Sequence, residues 1–228
     1  MTLATAWFRS PDFVNALYIV AFTLFIIGLR GLTGPNTAVR GNKIAAVGMV
    51  IAVVATLIGE GPSGIPVINS AEDAWLILLG LVIGTAVGIP AAVKVKMTAV
   101  PQMVALFNGV GGGAVALISW AEYRHALETG GNPELQVLIP ILFAAIIGSV
   151  SFWGSNIAFG KLQEILPGRP IQLPGQQFIN LALLLTAIGC AIAIATGSES
   201  EGLFIGILVA AALLGNLVVL PIGGADMP

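Results

Sequence analysis

The 228-residue chain is strongly apolar, since 57% of its residues are hydrophobic, only 9% are charged and 29 are glycine. This composition is typical of a membrane protein and excludes a soluble domain built from shorter amphipathic segments. The formal net charge is −2, and no basic stretch with interleaved aromatic residues occurs, so nucleic acid is excluded as a partner. The expected surrounding is the lipid bilayer.

Apolar runs of membrane-spanning length follow one another along the whole chain. The predicted spans are residues 13–32, 44–59, 74–93, 99–120, 138–159, 178–196 and 203–220, of which the second is the shortest. The first run lacks a basic leader and a small-residue cleavage site, so we expect it to remain as a helix. Residues 1–228 are therefore predicted to form one all-α transmembrane domain, a polytopic bundle of seven helices.

The charge pattern predicts how this bundle is oriented, because basic residues next to spans are retained on the cytoplasmic side. Seven of the nine basic residues fall in the loops predicted after spans one, three and five. They are Arg30, Arg40, Lys43, Lys94, Lys96, Lys161 and Arg169. Most acidic residues, among them Glu60, fall on the other side, so the N-terminus is predicted outside and Pro228 in the cytoplasm. Trp75, Trp120 and Tyr123 would then lie at the outer interface.

Span three carries a stripe of small residues, with Gly80, Gly84 and Gly88 four residues apart. Residues at this spacing share one helix face, and in lipid such faces let helix backbones approach closely. We interpret the stripe as a packing face against another helix of this chain or of a second copy. Ligand contact is the alternative.

Span four contains Gly109, Gly111 and Ala114, which formally match the Gly-x-Gly-x-x-Gly/Ala pattern of dinucleotide-binding turns. That pattern binds a pyrophosphate only where a strand leads into a helix N-terminus in an aqueous domain. Here the apolar run continues to Trp120, so no cofactor site is predicted at this position. Gly109 and Gly113 are instead predicted to form a second close-packing pair.

Polar groups inside the spans each require a partner, because hydrocarbon offers none. Asn108 lies near the middle of span four, Ser151, Ser155 and Asn156 lie in span five, and Asn216 lies near the end of span seven. They are either hydrogen-bonding contacts between helices or members of a hydrated polar track. Amides and hydroxyls can relay hydrogen bonds but hold no proton at ordinary pH.

Asp, Glu, Lys, Arg and His are absent from the interiors of the predicted spans, although intramembrane proton relays usually depend on such residues. His125, the one histidine, follows Arg124 in the predicted outer loop and is interpreted as a solvated surface residue. Span seven has no lysine for a Schiff base, which excludes a retinal protein. Cys190 lies in span six and is predicted to pack as a small hydrophobe. No metal site is predicted.

Three stretches give the chain a resemblance to a known family. They are VKMTAVPQMVALFNGV (residues 95–110), SNIAFGKLQEILPGRPIQLPG (residues 155–175) and PIGGADMP (residues 221–228). The chain resembles the membrane-spanning part of the beta subunit of proton-translocating nicotinamide nucleotide transhydrogenase. IGGADMP is the most specific of these stretches, and AFGKL supports it.

The resemblance implies that hydride passes between NAD(H) and NADP(H) in aqueous domains while protons cross the membrane part. In this family the beta subunit continues through two further spans into its own cytoplasmic NADP(H)-binding domain, and the alpha subunit binds NAD(H). These 228 residues are therefore expected to bind no cofactor and to transfer no hydride alone. The resemblance also implies a multi-pass protein of the bacterial inner membrane and a homodimer of protomers.

The resemblance further assigns residues to the proton path. The family often has histidine, taken as a proton carrier, where this chain has Asn108, and asparagine cannot titrate in its place. We expect a partner helix, such as one from the alpha subunit, to supply a histidine opposite Asn108. The other possibility is water together with a group in the further spans. Ser155 matches a polar family position and Asp226 the aspartate of the GGADMP loop.

The terminal PIGGADMP stretch is interpreted through its glycines and its carboxylate. Gly223 and Gly224 are expected to act as a hinge by adopting conformations closed to other residues. Asp226 would exchange protons with the channel or bond to the docking NADP(H) domain, the simpler alternative being a solvated loop carboxylate. Two other functions stay open, a secondary transporter or channel with a mid-membrane site and a passive membrane anchor.

Overall fold

A computed structural model of the chain describes residues 7–59, 68 and 70–227. These residues form seven long helices and no strand, which confirms the predicted all-α fold. Each helix is long enough and apolar enough to cross a membrane. Glu60 and Pro228, which entered the predicted orientation, lie outside the described residues.

The helices follow the predicted spans in chain order. They are α1 (Pro11–Gly31), α2 (Pro35–Ile58), α3 (Ala71–Lys94), α4 (Val100–Thr129), α5 (Leu135–Leu162), α6 (Gln176–Ala195) and α7 (Glu201–Val219). Short 3-10 turns cover Trp7–Arg9, Met97–Ala99 and Gly224–Asp226.

Two helices extend well beyond the apolar runs that predicted them. α2 begins at Pro35, a residue whose fixed φ suits the first helical position, so Arg40 and Lys43 lie on its first turns rather than in a loop. α4 continues to Thr129, which makes Arg124 and His125 helical as well, although both stay exposed. Hydropathy marks the part of a helix that lies in lipid, so it misses the extension of α4 over residues 121–129, where Ala, Glu, Arg and Leu favour a helix in water.

The chain divides into two compact units, residues 1–90 and 91–228. In the first unit α1 and α2 pack as a hairpin through glycines, because a Cβ at Gly41 would stand 2.6 Å from the Gly28 carbonyl oxygen. α3, most of which belongs to this unit, has no buried residue. Apart from neighbouring residues of α3 itself, no described atom of the unit lies within 4 Å of a Cβ built on the Gly80, Gly84 and Gly88 stripe. Packing of that stripe on another helix of this chain or on a second copy stays a prediction.

In the second unit α5 packs between α4 and α7, and α6 packs against α7. Its buried core consists of Tyr123, Leu138, Leu142, Ala145, Ile194, Phe204 and Ile207. Tyr123 stacks on Phe204 with 4.7 Å between ring centroids, so its ring is buried among helices. Its hydroxyl points to the Ser198 carbonyl oxygen at 3.5 Å.

Close backbone approach sets the register of α4, α5 and α7. A Cβ at Gly148 would lie 2.7 Å from the Gly112 carbonyl oxygen, and a Cβ at Gly215 would lie 2.5 Å from the Val150 carbonyl oxygen. These distances leave no room for a side chain, so the helices cross where glycines meet.

The predicted packing pair in span four also faces α5. A Cβ at Gly109 would lie 3.2 Å from Ser155 Cβ, and one at Gly113 would lie 2.8 Å from the Phe152 ring, which confirms the close packing. α4 is continuous through Gly109, Gly111 and Ala114, so the strand-to-helix turn of a dinucleotide site does not form at these residues.

Candidate functional site

Asn108 on α4 and two serines of α5 form one hydrogen-bonded cluster. Asn108 Nδ2 donates to Ser155 Oγ at 2.7 Å and to Ser151 Oγ at 3.2 Å. The serines are four residues apart and thus lie one above the other on the helix face that α4 covers. The structure therefore brings together two of the three predicted proton-path residues, Asn108 and Ser155.

This polar cluster lies on the wall of a groove with a volume of about 380 Å³. The remaining lining is apolar and comprises Pro101, Val104, Ala105, Val150, Gly154, Ala158, Leu162, Val219, Ile222 and Met227. Asn108 is exposed on the described chain, and both serines are half-buried. Each serine oxygen accepts from the amide, which leaves its own O–H proton for another acceptor. The groove thus offers a few hydrogen-bonding groups within an apolar wall.

The groove ends at the segment that follows α7, here called the exit segment (residues 220–227). Ile222 and Met227 of this segment line the groove. The Gly224 N–H donates to the Gly168 carbonyl oxygen at 2.8 Å, and the Ile171 N–H donates to the Leu220 carbonyl oxygen at 3.0 Å. The connection between α5 and α6 therefore holds the exit segment in place.

Asp226 lies on the exit segment with an exposed side chain, next to the groove-lining Met227. It is not hydrogen-bonded to Asn108 or Ser155 within the described part of the chain. The third predicted residue is therefore placed beside the end of the groove rather than in the polar cluster.

The glycines of the predicted hinge show no unusual backbone conformation in this structure. Gly223 has φ −66° and ψ 147°, which any residue adopts, and the described glycines with positive φ are Gly131, Gly175 and Gly197. A Cβ at Gly223 would stand 3.0 Å from Asp226 Oδ2, the end of an exposed side chain that can move aside. Bending of the exit segment during function stays a prediction.

Lys161 is a residue whose position the sequence did not reveal. Predicted as a loop cation, it lies on the last turn of α5 and is only 2% exposed. Its Nζ donates to the Ile222 carbonyl oxygen at 2.8 Å and to that of Leu220. The helical repeat could have indicated this burial. Residues seven apart lie on the same helix face, and Gly154, seven residues before Lys161, packs on α7.

Two amides near the same end of this unit have a buried oxygen that no described group satisfies. They are Asn180 on α6 and Asn216 on α7, each through Oδ1. Buried polar oxygens of this kind are usually satisfied by an ordered water. Asn216 does not line the groove, so its membership of a hydrated polar track stays a prediction.

Comparison with known proteins places the chain in a family. The family model described as NAD(P) transhydrogenase beta subunit matches residues 14–228. Two curated relatives from Rhodospirillum rubrum, one of them assigned to a particular strain, are both called NAD(P) transhydrogenase subunit beta. Each is 36% identical over 217 residues, which is 93% of this chain and 45% of the relative. The chain thus spans about half the length of the curated relatives it matches.

The family and the seven apolar helices together make this an integral, multi-pass membrane protein. The chain belongs to the NAD(P) transhydrogenase beta subunit family.

Proposed function

We propose that this chain conducts protons within a nicotinamide nucleotide transhydrogenase, while hydride passes between NAD(H) and NADP(H) in attached aqueous domains. The observation that carries the proposal is the Asn108, Ser151 and Ser155 cluster in a groove that ends at the exit segment. A hydrogen-bonding wall of this kind suits a file of water more than it suits a bulky solute.

In this proposal the cluster orients water and relays hydrogen bonds without holding the proton. Asn108 presents both a donor and an acceptor, and each serine hydroxyl accepts from it while keeping one proton to donate. The group that holds the proton must then come from a part of the enzyme outside residues 1–228 and face the cluster. Because Asn108 is exposed, its side of α4 is open to a neighbouring helix. A histidine on a helix of the alpha subunit is the favoured group, and water with a group in two further spans is the alternative.

Asp226 provides the second part of the path. Its exposed carboxylate stands where the groove ends, so it would exchange protons with water there or bond to an NADP(H) domain docked on that face. A carboxylate that can do both would link docking of the domain to proton access to the channel, and coupling requires such a link.

The partners and cofactors follow from the same proposal. NAD(H) would bind to the alpha subunit and NADP(H) to a further domain of this subunit, with no cofactor bound by residues 1–228. The N-terminus would lie outside the cell membrane and the exit segment on the cytoplasmic face, as the basic residues indicate. The assembled enzyme would be a homodimer of protomers.

Asn108→Leu is expected to lower NADPH-driven proton pumping by the complete enzyme in proteoliposomes. Leucine has a similar branched shape but no hydrogen-bonding group, so Ser151 and Ser155 lose their shared partner. We expect a loss of about tenfold, modest beside what a positioned proton-transfer group contributes. A pH-sensitive dye inside the vesicles gives the rate.

Two variants of α4 serve as controls for this loss. Asn108→His replaces the amide by a proton carrier and should keep pumping, and Val110→Leu changes an exposed residue that does not line the groove. Pumping by Asn108→Leu at the wild-type rate would contradict the proposal and favour a passive anchor.

A further inference from the structure

Lys161 is a buried cation without a carboxylate partner in the described part of the chain. It is 2% exposed, and the ion pair found among the described residues is Arg124 with Glu128 on α4. Burying an ammonium group is costly unless it is well hydrogen-bonded. The contacts that hold it must therefore be strong enough to offset its loss of water.

Those contacts come from the end of another helix. Leu220 is the residue that caps α7, and Ile222 follows it in the exit segment. The last carbonyls of a helix lack intrahelical donors and carry a partial negative charge, which a cation stabilises. Lys161 on α5 thus completes the C-terminal end of α7 through two carbonyl oxygens.

The same contacts connect the groove to the exit segment. Leu162, next to Lys161, and Ile222, one of its acceptor residues, both line the groove. Beyond Ile222 the chain is held through the Gly224 N–H on the Gly168 carbonyl oxygen and then turns to Asp226. The Lys161 ammonium is a side-chain donor that joins α5 directly to this segment.

We propose that Lys161 is a positioning residue, which ties the end of α5 to the exit segment and so sets where Asp226 stands relative to the groove. The part of this inference that concerns pumping rests on the proposed function. Methionine at this position would keep the length and apolar character, but it would take the lysine donor from the Ile222 carbonyl and leave the Leu220 carbonyl with the Ile171 N–H alone. Arginine would keep the charge and the donors.

The test follows the position of the exit segment and the pumping rate in the complete enzyme. A spin label is attached through Ala225→Cys, an exposed position beside Asp226, in a background in which Cys190, the one cysteine of these residues, is changed to Ala. Lys161→Met is expected to make the label clearly more mobile. It should also lower the number of protons pumped per hydride transferred by about tenfold, because Asp226 would no longer be held in position for proton transfer. Lys161→Arg should restore most of both.

The controls separate position from charge and from folding. Lys96→Met removes an exposed lysine and should change neither the label nor the pumping. If Lys161→Met does not assemble, Lys161→Gln, which retains a donor without the charge, should mobilise the label to a smaller extent.

Two results would overturn the positioning role. One is an unchanged label spectrum in assembled Lys161→Met enzyme, and the other is wild-type pumping by that variant while Asp226→Asn is impaired. If Asp226→Asn itself pumps like the wild type, the proposed role of Asp226 in pumping fails, and the label alone then decides whether Lys161 holds the segment.

Discussion

Gly112→Ala is expected to lower the melting temperature of the complete enzyme, whereas Gly111→Ala, one residue away, is expected to leave it unchanged or raise it. Both substitutions replace glycine by a better helix former in α4, worth about 1 kcal/mol in a helix interior. The difference between the two variants therefore reports packing rather than helix propensity.

The two adjacent positions differ in packing, since Gly112 is pressed against α5 and Gly111 is not. A Cβ at Gly112 would lie 2.8 Å from Ser151 Cβ and 2.9 Å from the Gly148 carbonyl oxygen, whereas a Cβ at Gly111 has no described atom within 4 Å apart from neighbouring residues of α4. Because the Gly148 oxygen belongs to the backbone of α5, the two helices must separate. Overpacking of this kind costs about 1–3 kcal/mol in well-packed cores.

Separation of α4 from α5 would also stretch the polar cluster, so Gly112→Ala should lose pumping along with stability. Thermal unfolding in detergent, monitored by size-exclusion chromatography, measures the loss of stability. Equal melting temperatures for Gly111→Ala and Gly112→Ala would show that the helices do not meet at Gly112.

Asp226→Asn is expected to reduce coupled proton pumping by the complete enzyme without lowering its melting temperature. An amide has nearly the same shape as the carboxylate but cannot take up and release a proton. Since the side chain is exposed, little packing is lost. We expect a fall of at least about tenfold, in keeping with the loss of a proton-transfer group.

Glu164→Gln is the matched control for this substitution. Glu164 is also an exposed carboxylate, it follows α5 on the same connection that holds the exit segment, and it does not line the groove. Its loss should leave pumping unchanged. Wild-type coupling in Asp226→Asn proteoliposomes would refute the role of Asp226.

The helices were predictable from the sequence because lipid forces every backbone polar group into internal hydrogen bonds. The ends of the helices were less predictable, since the apolar run of span four stops at Trp120 but α4 continues to Thr129. Hydropathy measures the preference of side chains for lipid, and it carries no information on a helix that continues into water.

The polar cluster was predictable only in part. Each in-span amide and hydroxyl was expected to have a partner, and the four-residue spacing of Ser151 and Ser155 indicated a shared face. That Asn108 bonds to both depends on the register of α4 against α5, which the contact of Gly112 with Gly148 sets. A register of this kind arises from tertiary packing and has no local signal.

Lys161 shows what a charge count misses. The rule that places basic residues in the cytoplasm treats it like any loop cation, yet it is buried against the end of α7. Gly223 was expected to adopt an unusual backbone conformation, yet its φ of −66° and ψ of 147° are open to any residue.

The most direct test of the account is whether water reaches Ser155 in the assembled enzyme. Ser155→Cys and Val110→Cys, each combined with Cys190→Ala, are treated in membranes with a charged, water-soluble thiol reagent. Position 155 lines the groove, while position 110 is an exposed residue of α4 that does not. Because the thiolate is the reactive form and requires water, position 155 should react at least about tenfold faster. Equal, negligible reaction at both positions would mean that no hydrated passage reaches the cluster, and the account would be contradicted.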